Sequence, residues 1–274
     1  MISNPEIAQR SFWDSSWDSA GVQSFSVHTR LVEESKWTHL QHDLAGFDGW
    51  SLEVGCGSGH LSALLSQSGF RTVLLDYSPA ALACARNSFK NCQGQHAKEF
   101  LLADAFALPI ADSSVDVVVS GGVIEHFRDP IPAIREMARV LRPGGLFYAD
   151  ICPRKFRLIG LFDFLYPNPP GWYEARMRMP EIAEMIGASG LCLKRLFAAG
   201  VLPPRLVPGR GRIKVIDTLV RWSVERWQCF WRSLDATKLA ELLGFYYYVS
   251  ATKPSDPLER FNHRGGEQPR AVGR

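Results

Sequence analysis

An α/β chain built on a doubly wound, mostly parallel sheet is what this sequence predicts, and three observations carry the prediction. Between residues 50 and 152, short β-branched runs alternate with longer helical patterns, the signature of parallel strands joined by crossover helices. The first run ends in a glycine-rich turn, Leu52-Glu-Val-Gly-Cys-Gly-Ser-Gly59, that opens directly into a helical pattern. Acidic residues, Asp76 and Asp104, close the next two runs.

Residues 1–48 read as a helical cap with Trp13, Trp17, Phe25 and Trp37 as apolar anchors. Strands are expected at Trp50–Gly55, Arg71–Asp76, Glu99–Asp104, Val115–Ser120 and Leu146–Ile151. Helices are expected between them at Gly59–Ser68, Pro79–Asn91 and Pro130–Leu141. Ser78 is an N-cap followed by Pro79 at the first helical position. Arg142-Pro-Gly-Gly145 stops the third of these helices and turns the chain into the next strand. Downstream, 154–178 is irregular and rich in Pro and aromatics, Met179–Ser189 is a short helix, and Leu191–Val201 is a sixth strand. Residues 213–243 follow a long amphipathic helical pattern, with Ile213, Ile216, Val220, Trp227, Trp231 and Leu234 on its apolar stripe. Phe245–Thr252 completes a seven-stranded sheet. The expected organisation is a cap (1–48), a core (49–153), a segment carrying a lid, the last strands and a helical insertion at about 202–243 (154–253), and a flexible tail (254–274).

Composition removes several classes. No run reaches the roughly 18 apolar residues of a membrane-spanning helix. The first 30 residues, with Glu6, Asp14 and Asp18 scattered through them, lack the apolar stretch of a signal peptide. Six cysteines without a CxxC pair argue against a zinc cluster and a disulfide scaffold, so a reducing cytoplasm is expected and no metal site. A net charge of +3 without a Lys/Arg run gives no footprint for nucleic acid. That total is unevenly placed. Residues 1–150 hold 11 basic and 17 acidic side chains, whereas 151–214 hold 11 basic and 4 acidic. The basic segment is the one expected to face the substrate, which favours an acidic or anionic-surface-associated one.

Glycines at 55, 57 and 59 let the backbone turn sharply and approach a ligand without a Cβ in the way. A dinucleotide fingerprint, GxGxxG, would need glycine at position 60, where His60 stands. Glu53, two residues before the first glycine, would repel a pyrophosphate, so a cofactor with a cationic portion fits better. Asp76 lies 21 residues beyond Gly55, where a strand-end carboxylate accepts from both ribose hydroxyls. Asp104 is placed to accept from an adenine amino group. Each acid alone is also compatible with a solvated loop carboxylate.

These motifs resemble the class I S-adenosylmethionine-dependent methyltransferases, in the broad group that includes ubiquinone-pathway and other small-molecule enzymes. The resemblance rests on LEVGCGSG (52–59), LLDYSPAALACAR (74–86), LLADAFALPIADSSVDVVVSGGVIEHF (101–127) and EMARVLRPGGLFYAD (136–150). It implies a Rossmann-like fold with S-adenosyl-L-methionine as cofactor, and core 49–153 as the cofactor-binding part. It also implies that Glu53, Gly55, Cys56, Gly57 and Gly59 form the loop under the methionine portion, with Cys56 a packing residue rather than a nucleophile. Asp76 would bind ribose, Tyr77 would lie against adenine, Asp104 and Ala105 would contact its edge, and Gly121 would line the methionine side.

Methyl transfer is an in-line displacement, so the protein chiefly orients donor and acceptor. An oxygen acceptor also needs a base. His126, in Ile124-Glu-His-Phe127, is the candidate for catalysis, with a loop-fixing role as its alternative. The acceptor pocket is expected outside the core, among Trp13, Trp17, Phe162, Phe164, Tyr166, Trp172, Tyr173, Trp222, Trp227, Phe230 and Trp231. Those aromatics suit an aromatic or lipid-like small molecule, or else the core of an added layer. Arg154, Lys155 and Arg157 before Leu158-Ile-Gly-Leu-Phe162 suit peripheral contact with an anionic membrane, or else a solvated basic loop. Two other functions stay open: a catalytically inactive cofactor-binding partner subunit, and a nicotinamide-dependent reductase, which His60 and Glu53 disfavour.

Overall fold

The structure, a computed structural model, describes residues 11–17, 27–90, 98–153, 172–200, 226–235 and 246–255, with scattered positions between 215 and 244. Its elements in chain order begin with α1 (11–17), α2 (Val27–Asp43), β1 (Trp50–Val54), α3 (His60–Gln67), β2 (Arg71–Asp76), α4 (Pro79–Lys90) and β3 (Lys98–Leu102). They continue with β4 (Val115–Gly121), a 3-10 turn (Ile124–His126), α5 (Ile131–Val140), β5 (Leu141–Ile151), α6 (Met179–Ala188), β6 (Cys192–Ala199), α7 (Gln228–Asp235) and β7 (Tyr246–Thr252).

One seven-stranded sheet runs β3-β2-β1-β4-β5-β7-β6. Strands β1 to β5 are mutually parallel, and β7 is antiparallel to both of its neighbours, β5 and β6. The strand order reverses between β1 and β4, which is where ligands bind in open α/β sheets. Helices cover both faces, so the central strands read as near-continuous apolar runs. Alternation along β4 shows both layers at once. Val118 joins Leu52, Val54, Ile134, Met137 and Ile182 on one face, while Val117 and Val119 join Leu40, Leu61, Leu65 and Tyr148 on the other. Ser78 caps α4 as expected, its Oγ accepting the Ala81 N–H at 3.3 Å.

Several boundaries differ from expectation. Strand β3 stops at Leu102, so Asp104 sits in the turn beyond the strand rather than at its end. Gly121 is the last residue of β4 rather than the residue after it. Strand β5 begins at Leu141 because Arg142-Pro-Gly-Gly145 is a bulge within it: Val115 pairs with Leu141 and Val117 with Leu146. The Gly144 and Gly145 backbones are tied to Lys253 just past β7, with hydrogen bonds of 2.8 and 3.0 Å. The long helix expected over 213–243 is interrupted at Trp227, which is not helical, and α7 spans only Gln228–Asp235. Trp222, Trp227 and Phe230 are about half exposed, so they are not core of an added layer. Phe25, Phe162, Phe164 and Tyr166, the basic stretch 154–162 and the tail from 256 lie outside the described residues. No described helix is long and apolar enough to cross a membrane.

Candidate functional site

The predicted residues meet at the C-terminal edge of the sheet. After Val54 the chain turns through Gly55, Gly57 and Gly59 at φ +72°, +49° and +69°, a region that L side chains rarely adopt. The Gly55 and Cys56 N–H groups both donate to the Leu75 carbonyl, at 2.8 and 3.0 Å, which fastens the turn to β2. A Cβ on Gly55 would collide with the Val123 side chain, and one on Gly57 would lie 2.6 Å from the Trp17 ring. Cys56 is buried among Ala63, Leu74 and Leu82, and burial pushes its thiol well above the usual range. That setting suits packing and disfavours the thiolate form a nucleophile needs.

Asp76, 5% exposed, accepts from the Gly57 N–H at 2.9 Å through one oxygen and from the Ser78 N–H at 3.0 Å through the other. Burial raises its pKa and these backbone donors oppose the rise. The Ala103 N–H donates to the Asp76 carbonyl at 3.1 Å, bringing the Asp104 turn alongside. Within that turn Asp104 Oδ1 accepts the Phe106 N–H at 3.0 Å, and Tyr77 and Ala105 are half-buried. This edge offers carboxylates and bare backbone, an acceptor set that fits the hydroxyls and amino group of an adenosine bearing no phosphate. A pyrophosphate would meet anions here.

Glu53 is buried beneath the turn and its Oε2 accepts the Ser62 N–H at 3.0 Å. Helix α3 has no side-chain cap of its own at Gly59, so this strand residue satisfies one of its first N–H groups. Burial, only partly offset by Ser62, pushes the Glu53 carboxyl up to about 8.

Beside Gly121 the structure assembles a buried polar cluster that sequence reasoning missed. Lys36, from α2, pairs with Asp150 Oδ2 and with Glu33 Oε1, each at 3.1 Å. The Tyr148 hydroxyl donates to the same Asp150 oxygen at 3.2 Å. Burial acts to lower the Lys36 pKa, but Asp150 and Glu33 more than reverse it and hold the ammonium protonated. A Cβ at Gly121 would lie 3.0 Å from Asp150, so the missing side chain makes room for this pair. Glu125 is 6% exposed with one carboxyl oxygen lacking a partner; burial and then Asp150 push it up to about 8.

His126 closes the site. Its Nδ1 lies 2.7 Å from the Tyr173 carbonyl, which can only accept, so Nδ1 carries a proton. Trp13 and Trp172 each present a ring 5.0 Å from the imidazole in edge contact, and Phe12 packs on both tryptophans. The 172–177 strip is held there by Ala175 N–H donating to the Glu125 carbonyl at 2.7 Å and by Met177 N–H donating to the Cys152 carbonyl at 3.4 Å. The aromatic content of both flanking segments was the signal for this enclosure; nothing in the sequence paired Lys36 with Asp150. No group of described residues has the composition of a metal site.

A family model described as a methyltransferase domain matches residues 52–149. A Mycolicibacterium smegmatis protein named as a probable S-adenosylmethionine-dependent methyltransferase is 39% identical over 125 residues, 43% of this chain and 46% of that one. The malonyl-[acyl-carrier protein] O-methyltransferase of Serratia marcescens is 36% identical over 131 residues, 48% of this chain and 46% of that one. The match thus spans a little under half the length of these relatives. Among solved structures, magnesium protoporphyrin IX methyltransferase from Synechocystis superposes with a TM-score of 0.61 at 14% identity, covering 91% of this chain and all of that one. The Burkholderia thailandensis 1,6-didemethyltoxoflavin-N1-methyltransferase superposes at 0.59 with 18% identity, covering 93% and 92%. Both were solved with S-adenosylhomocysteine bound, and the likeness shows the Rossmann-like fold. Residues 52–149 thus match the methyltransferase-domain model, and they sit in a Rossmann-like sheet of the fold these solved methyltransferases share.

Proposed function

We propose that the chain transfers the methyl group of S-adenosylmethionine to a small-molecule acceptor of aromatic or lipid-like character. The observation that carries this is the placement, along one edge of the sheet, of a bare glycine turn, a carboxylate at the end of β2, and a histidine enclosed by Trp13 and Trp172. When bound, the sulfonium supplies an electrophilic methyl whose leaving group is a neutral thioether. Asp76 holds ribose hydroxyls with the lone pairs left over from Gly57 and Ser78, Tyr77 and the Asp104–Ala105 turn receive the adenine, and the 53–59 turn and Gly121 receive the methionine portion. His126 takes the acceptor's proton on Nε2, with the Tyr173 carbonyl fixing its tautomer and the tryptophan edges excluding water. Glu53 shapes the loop from beneath, by capping α3.

The relatives named for malonyl-carrier O-methylation support keeping carboxylates within the acceptor classes, and a carboxylate oxygen needs no base. Labelled-methyl transfer from S-adenosylmethionine across quinols, phenols, fatty acids and amines tests the reading. Transfer to at least one hydroxyl acceptor is expected, with His126→Ala lowering turnover by about a hundredfold or more and leaving cofactor affinity intact. Cofactor binding without transfer to any acceptor would instead support a non-catalytic partner subunit.

A further inference from the structure

Residues 172–176 have no regular secondary structure, yet they are tied along their length to the turn that carries His126. The Tyr173 ring takes the Arg128 guanidinium on its face at 5.0 Å, its carbonyl lies 2.7 Å from His126 Nδ1, and the Ala175 N–H donates to the Glu125 carbonyl at 2.7 Å. Beyond them Met177 pairs with Pro153 in an isolated bridge. Strip and turn are joined in this way, so whatever fixes the strip against the sheet also fixes the imidazole.

Glu174 is placed to do that. Its Oε1 accepts the Cys152 thiol at 3.2 Å, and Cys152 is the residue immediately after β5. Burial, followed by the Glu174 charge, pushes that thiol far above its usual range, so the sulfur keeps the proton it donates. The same oxygen takes Arg176 Nε at 3.4 Å. The other, Oε2, accepts Trp172 Nε1 at 3.3 Å. An indole N–H can only donate, so this bond sets which edge of the ring turns to Glu174 and leaves the ring against His126, at 5.0 Å and 87°. One carboxylate thus joins the end of β5 to the ring that covers the histidine. We propose that Glu174 is a positioning residue of the acceptor site: it holds Trp172 over His126 and keeps the Tyr173 carbonyl on Nδ1, without touching the reacting atoms. Its effect on turnover rests on the reading of His126 as the base; its effect on the imidazole does not.

Glu174→Gln and Glu174→Leu test this in the full chain. Glutamine keeps a carbonyl oxygen for the indole N–H, whereas leucine keeps bulk and removes both acceptors. Nitrogen-15 spectra of the histidine rings, recorded above their ordinary pKa of about 6.5 and assigned by the signal lost in His126→Ala, read the tautomer. His126 should carry its proton on Nδ1 in the unsubstituted protein and in Glu174→Gln, and become a mixture of tautomers in Glu174→Leu. Turnover should fall by about tenfold or more in Glu174→Leu with cofactor affinity unchanged, and largely return in Glu174→Gln. Circular dichroism and thermal melting verify folding. Should Glu174→Leu not fold, Trp172→Phe removes only the N–H that Glu174 accepts, and it should speed solvent exchange of the His126 Nδ1 proton. A folded Glu174→Leu chain in which His126 keeps its proton on Nδ1, or unchanged exchange in Trp172→Phe, overturns the proposal. A shifted tautomer with unchanged turnover supports the positioning and removes His126 as the base, so the two readings fail separately.

Discussion

Asp76 is held so that its two oxygens already serve the Gly57 and Ser78 N–H groups before any ribose arrives. It therefore acts twice, as the fastening of the glycine turn and as the proposed acceptor for the ribose hydroxyls. Asp76→Ala should weaken S-adenosylmethionine binding by about 1–3 kcal/mol in isothermal titration, and it should also lower the melting temperature because two N–H groups lose their acceptor. Unchanged affinity with a lowered melt would leave only the fastening role. Asp76 was legible in the sequence because its distance from the glycine turn is set by one helix and one strand, elements whose lengths vary little. Glu53 was legible by position but not by partner: its bond to Ser62 depends on how α3 leaves the turn, a three-dimensional detail. Lys36 and Asp150 were invisible as a pair, being far apart in sequence with no motif around either.

At the scale of elements, buried polar contacts clasp α2 to the sheet. Lys36 reaches Asp150 on β5, and Asp43 accepts from Arg195 of β6 at 2.9 Å and from the Tyr248 hydroxyl of β7 at 2.6 Å. The first clasp is almost fully buried, so its worth lies less in attraction than in the cost of leaving one charge alone. Lys36→Met should destabilise the fold by about 3–5 kcal/mol in denaturant unfolding, and adding Asp150→Leu should recover part of that loss, because the stranded carboxylate is removed with it. A folded Lys36→Met chain of unchanged stability would show that water reaches Asp150. The strands and helices of the core were readable because apolar runs buried on both faces contrast with polar turns. The bulge at Arg142–Gly145 was read as a simple turn, since Pro-Gly-Gly signals a bend without saying whether pairing resumes on the same strand. The pattern over 213–243 promised one helix because period alone does not register a break such as that at Trp227.

The whole molecule gathers buried carboxyl groups at one edge of its sheet, and this gives its stability a slope with pH. Glu53 and Glu125 are each raised from an ordinary 4.5 to about 8 by burial. The folded state therefore binds more protons than the unfolded chain between these values, and stability is full below about 4.5 and falls as pH rises toward 8. Glu136, lowered by its bond to Arg139, has the opposite sign but acts only as pH falls below its ordinary range. Chemical unfolding at pH 5 and pH 8 should differ by on the order of several kcal/mol, the lower pH being the more stable, and Glu125→Gln should flatten the slope. A level profile in the unsubstituted protein would show both acids ionised within the fold.

The order of strands also dictates the order of assembly. Strand β6 reaches the sheet only through β7, which slots between it and β5. A chain emerging from the ribosome can complete the glycine turn, Asp76 and the His126 turn on the parallel strands alone. Until residues 246–252 arrive, however, β6 has no neighbour in the sheet and β5 presents a bare edge. The half that carries the glycine turn and Asp76 is thus free to form early, and the outer half is locked by a late-arriving key.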